Sequence, residues 1–200
     1  MSFSAWHKES FDSLLRGHTT TILLEDRETN LKFAKGILWN MALQGHPCSV
    51  LDFDALYSSN STHLLSRLPE AQLQGTELII PEPGSDLSEG LAALLDSDPS
   101  RVLIIDSLNS LYHLLAYAGD GSGNRNLGFV MAVLSRAARV EKRAVLLTMY
   151  RRERPVRFGR HRPIAELSDS TVSASLGPGS LRLRKEHGSW PARDVSLPIP

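Results

Sequence analysis

Residues 101–111 read RVLIIDSLNSL. Val102, Leu103, Ile104 and Ile105 form an unbroken apolar run, three of them β-branched, which suits a strand buried on both faces rather than one that alternates between core and water. Asp106 closes the run. A strand buried on both sides requires a covering layer on each side of its sheet, so the rest of the chain must supply helices in alternation with further strands.

The sequence meets that requirement. HTTTILLE (18–25), CSVLDFD (48–54), ELIIP (77–81) and AVLLTMY (144–150) read as further strands, rich in β-branched or aliphatic residues. LKFAKGILWNMALQG (31–45) repeats Leu31, Ala34, Leu38, Met41 and Ala42 at helical spacing, with Thr29 or Asn30 as candidate N-cap and Gly45 as the stop. STHLLSRLPEAQL, SDLSEGLAALLDS and NRNLGFVMAVLSRAARVEK are further helix candidates, and SAWHKESFDSLLRG forms a short N-terminal one with Phe11, Leu14 and Leu15 on one face. After residue 170 the character changes: STVSASL and GSLRLRKEHGSWPARDV alternate apolar and polar residues around turns, as antiparallel strands do. The expected fold class is therefore α/β, a mostly parallel sheet flanked by helices and extended by C-terminal antiparallel β-strands. The expected organisation is a single domain over 1–200, with a helix to 17, a core over about 19–190 and an irregular tail from 191.

Composition narrows the function classes. A chain of 200 residues that is 42% apolar has the material for one well-buried domain. No apolar run reaches membrane-spanning length, no stretch combines a basic start with a long apolar core, and the single Cys48 has no disulfide partner within the chain. The expectation is a reducing cytoplasmic or nuclear setting without membrane contact. The net charge of zero hides a segregation: residues 1–100 hold 6 Lys/Arg against 14 Asp/Glu, and residues 101–200 hold 16 against 8. A polyanion site is expected in the C-terminal half.

Asp106 supports two readings. At the carboxyl end of a parallel strand a carboxylate is placed to hold Mg²⁺ in a nucleotide hydrolase; equally, Asp106, Ser107 or Asn109 can cap the helix that follows. The seven histidines lack metal-ligand spacing, and Ser107, Ser110 and His113 lack the Gly-x-Ser-x-Gly elbow of a hydrolase, so neither a metal site nor a catalytic triad is expected.

The order of these segments, with LDFD ending one strand, LIIDSLNSLY entering a helix and AVLLTMY preceding a basic stretch, resembles the RecA/RadA core. The resemblance covers about Thr19 to Trp190. It implies a RecA-like fold, places Asp106 at the family's Mg²⁺-supporting acid and Thr148 near its sensor position, and sets the catalytic glutamate's place around Ala55 or Leu56, close to Asp54. The departures are as informative. Where the family carries a glycine-rich loop ending in Gly-Lys-Ser/Thr, this chain has EDRETN: Glu25, Asp26, Arg27, Glu28, Thr29 and Asn30. Glycine is absent, three carboxylates would meet phosphates with like charge, and Lys32 and Lys35 come too late to replace the missing lysine. The stretch reads as a degenerate nucleotide site, with Arg27 a candidate plug, and neither a cofactor nor catalytic residues are expected. The Phe-x-x-Ala tether by which recombinases polymerise is also missing from the N-terminal piece.

The second signal follows Tyr150. Between Arg139 and Arg162 stand nine Lys/Arg against two acids, Glu141 and Glu153. Guanidinium groups bind phosphates bidentately and stack, and aromatic rings offer faces to unpaired bases, so Arg143, Tyr150, Arg151, Arg152, Arg154, Arg157, Phe158, Arg160 and Arg162 are candidate nucleic-acid contacts. Pro155, Gly159 and Pro163 argue for a loop. The resemblance makes this one of two DNA-contacting loops, the other being AYAGDGSGNRN with Arg125. A solvated basic loop or one docking on an acidic protein is the alternative. The expected function is a non-hydrolysing RecA-like subunit that binds single-stranded DNA, assists recombination and repair, and associates with itself or with RecA-fold partners. An Elongator-like assembly subunit binding tRNA, and an atypical ATPase completed in trans, stand as rivals.

Overall fold

The computed structural model describes residues 12, 17–65, 74–81, 87–117, 123–151, 157–158, 162–163, 167–188 and 194–199. The strands are β1 (Thr19–Leu24), β2 (Cys48–Asp52), β3 (Thr76–Ile79), β4 (Val102–Asp106), β5 (Val145–Tyr150), β6 (Arg157–Phe158), β7 (Arg162–Pro163), β8 (Ser170–Gly177), β9 (Ser180–Gly188) and β10 (Asp194–Pro198). The helices are α1 (Arg27–Gln44), α2 (Leu56–Ser59), α3 (Ser61–Leu65), α4 (Leu87–Asp96), α5 (Leu108–Tyr117) and α6 (Gly123–Glu141).

Eight strands form one sheet in the order β10-β9-β8-β1-β5-β4-β2-β3. From β8 to β3 all pairings are parallel, and β8, β9 and β10 pair antiparallel. This is the expected fold class. The period-2 geometry of strands divides the apolar residues between two faces. Ile22, Leu24, Val50, Ile104 and Leu146 join Phe33, Ile37 and Met41 of α1 on one face. Leu103, Ile105, Val145, Leu147 and Met149 join Leu111 of α5 and Leu127, Met131 and Leu134 of α6 on the other. Strand β4, buried at every position, is sandwiched between these layers as its sequence requires.

Helix α1 starts earlier than its apolar periodicity suggests. Asp26, in extended conformation, is its N-cap, and the Thr29 and Asn30 proposed for that position lie in its first turn. Its far end stops as expected: Gly45 adopts φ 72°, donates to the Ala42 carbonyl, and lets the His46 N–H reach that of Met41. Helix α6 begins at Gly123, so Arg125 is helical rather than part of a loop. The stretch after Tyr150, expected as a loop, contains a small antiparallel ladder in which Arg157 faces Pro163 and Phe158 faces Arg162. Arg152, Arg154 and Arg160 lie outside the described residues, as does most of the N-terminal helix candidate.

One predicted contact residue is overturned. Arg143 is 2% exposed, at the opposite, amino end of β5. Lys142, at φ 57°, reverses the chain just before it. The Arg143 guanidinium donates to the carbonyls of Leu95, Ser97 and Asp98 and to the Glu141 carboxylate, so it ties the end of α4 to the end of α6 and is not available to a nucleic acid. No helix among the described residues is long and apolar enough to cross a membrane.

Candidate functional site

Strand β5 lies between β1 and β4, which brings the carboxyl ends of the three side by side, where open parallel sheets place ligands. Only Glu25 and Asp26 separate the end of β1 from the start of α1. The Asp26 carboxylate accepts the Thr29 N–H at 2.7 Å and the Thr29 hydroxyl at 2.8 Å, and those hydrogen bonds hold it below the usual carboxylate range. The positive end of the helix is thus met by a carboxylate of the chain itself. Glu25, Asp26, Arg27 and Glu28 are exposed, while Thr29 and Asn30 are buried. Arg27 therefore does not plug the space beneath; Asn30 does.

Asn30 is fully buried, and its amide nitrogen donates to Asp106 Oδ1 at 2.9 Å and to the Tyr150 hydroxyl at 2.9 Å. The Thr148 hydroxyl donates to the same Asp106 oxygen. One side chain from α1 thereby binds β4 and β5 together. Burial pushes the Asp106 carboxyl up to about 6, opposed by the Thr148 and Asn30 hydrogen bonds and reinforced by the nearby charges of Asp54 and Asp52. The Asp106–Ser107 peptide is cis. Beyond it, Asn109 accepts the Tyr150 N–H at 2.8 Å, and the Ser110 hydroxyl donates to Asp54. Asp52 is likewise engaged, accepting the N–H groups of Leu56 and Ser58 at 2.9 and 2.7 Å. Burial also raises the Tyr57 and Tyr150 phenols, so both are neutral at physiological pH.

This edge differs from the cradle in which a nucleoside triphosphate is held. A phosphate cradle needs several free N–H groups around a wide turn, and here a two-residue connection leads into a helix capped by its own aspartate. The carboxylate expected to support Mg²⁺ spends one oxygen on Asn30 and Thr148.

Beside this closed edge lies a basic surface. Arg151 is exposed, its backbone N–H donating to the Leu24 carbonyl at 2.7 Å and its side chain 3.9 Å from Glu186 on β9. Leu181 and Leu183 of β9 point into the core, which turns Arg182 and Arg184 to the other, exposed face of the sheet. They stand opposite Ser175 and Ser173 of β8. These two arginines were missed in the sequence reading, although the alternation in SLRLRKE carries them. Of the other basic residues, Arg139 is paired with Asp169, whereas Arg125 is exposed in the first turn of α6.

No protein-family model matches the chain, and no curated protein matches it in sequence. Among solved structures, the chain is similar to that titled "Crystal structure of the RadB recombinase", with a TM-score of 0.65 and 18% sequence identity over 96% of this chain and 94% of that one. At that identity the likeness establishes the fold: the chain has a RecA-like fold.

Proposed function

We propose that this protein is a non-hydrolysing RecA-like subunit that binds single-stranded DNA and assists recombination and repair as an accessory or scaffold, in association with itself or with RecA-fold partners. The observation that carries the reading is the start of α1. A helix that begins two residues after β1, capped by Asp26 and locked through Asn30 to Asp106, has given over the phosphate position to a carboxylate. Coulomb repulsion opposes phosphates at such an edge.

The basic surface supports nucleic-acid binding. Arg151 opens the arginine-rich segment, and Arg182 and Arg184 extend its charge onto an open sheet face with serine hydroxyls between them. The likeness to a RadB recombinase supports recombination as the setting. DNA is the ligand this reading names, and RNA is the alternative outcome.

Replacing Arg151, Arg152 and Arg154 by Glu tests it. Each phosphate contact on a single strand contributes about 0.7 to the slope of log affinity against log salt, so losing three flattens that slope by about 2. Competition between single-stranded DNA and tRNA on the unmodified protein identifies the ligand. Unchanged affinity and slope in the variant sink the assignment, and preference for tRNA transfers it to RNA.

A further inference from the structure

The face of the molecule formed by α4 and α6 is remote in character from the site above: it is apolar and carries a protruding aromatic ring. Leu91, Ala92 and Leu95, on one side of α4 at helical spacing, face Val133 and Phe129 of α6 across a groove of about 210 Å³. Phe129 both lines that groove and is 70% exposed. An aromatic side chain left this open forgoes the burial that makes Phe worthwhile in a fold, and a cavity of this size beside it accommodates one aromatic side chain.

The charges on the two helices differ in sign. Helix α4 carries Glu89 and Asp96 and no basic residue, while α6 carries Arg125, Arg136 and Arg139 against Glu141 alone. Glu89, Asp96, Arg125 and Arg136 are exposed, and among the described residues none of the four is in an ion pair.

We propose that this face is a self-complementary docking surface for a second copy of the chain, with Phe129 of each copy seated in the α4–α6 groove of the other. Knob and hole on one patch are the requirement for a two-fold, closed interface. A two-fold axis through the groove sets α4 of one copy against α6 of its mate, so the acidic helix meets the basic one twice. The assembly ends at two chains because both knobs and both holes are used.

Sedimentation or light scattering at micromolar concentration reads the mass directly. The unaltered protein is expected at twice the single-chain mass of 22.1 kDa. Phe129→Asp, at an exposed position that leaves the core intact, is expected to give the single-chain mass. A charge exchange then separates this geometry from any other. A variant with Glu89→Arg and Asp96→Arg, and another with Arg125→Glu and Arg136→Glu, should each be monomeric alone. Mixed together they should form a one-to-one pair, because both α4–α6 contacts become complementary again. A single-chain mass for the unaltered protein, a dimer indifferent to Phe129→Asp, or a mixture of the charge variants that stays monomeric overturns the proposal.

Discussion

Neutralising Asp106 should stabilise this protein at alkaline pH. The carboxyl is buried, with its group raised from 3.8 to about 6, burial being the largest cause. Below about pH 4 the group is protonated in both folded and unfolded chains and has no effect on their balance. Between about 4 and 6 the unfolded chain releases the proton while the folded chain keeps it, so stability falls by about 1.4 kcal/mol for each pH unit. Above about 6 the loss is complete and amounts to roughly 3 kcal/mol. Asp106→Asn removes this dependence while keeping an oxygen for Asn30 and Thr148, and the other carboxyl oxygen has no hydrogen-bond partner to lose among the described residues. Urea unfolding of both proteins from pH 4 to 8 measures it. The variant's stability relative to the parent should rise by up to about 3 kcal/mol across that range. Parallel pH curves would refute the account of Asp106 as a buried, structurally bound acid.

Two further substitutions probe the scaffold. Arg143→Met removes a buried guanidinium from its carbonyl and carboxylate partners, leaving buried carbonyl oxygens unpaired, and should cost about 2–4 kcal/mol by denaturant titration while leaving nucleic-acid affinity unchanged. Gly188→Ala should be strongly destabilising as read by thermal unfolding: φ is +96° and an added Cβ would lie 2.1 Å from the Asp169 carbonyl oxygen. A neutral result at Gly188 would contradict its pairing with Ser170 at the far end of the β8–β9 ladder.

The strands were legible because burial on both faces leaves a continuous apolar signature, as in Val102–Ile105, and burial on one face leaves alternation, as in Leu181–Arg184. The start of α1 was not. Asp26, Thr29 and Asn30 are all residue types that cap helices, and which one serves is set by where β1 ends, a tertiary fact. Arg143 failed for a related reason. Its charge places it in a basic run, but the reversal at Lys142 and the carbonyls at the end of α4 decide where it sits. The Asn30–Asp106–Thr148 cluster joins residues 76 and 42 positions apart in the chain, which no local pattern reports.

The most direct test of the central claim is fluorescence-anisotropy binding of labelled single-stranded DNA, duplex DNA and tRNA across a salt series, with and without ATP and Mg²⁺. A RecA-like fold whose first helix is capped by its own Asp26 should bind single-stranded DNA in a salt-sensitive manner that ATP and Mg²⁺ leave unchanged. Binding that appears only with ATP and Mg²⁺ would contradict it.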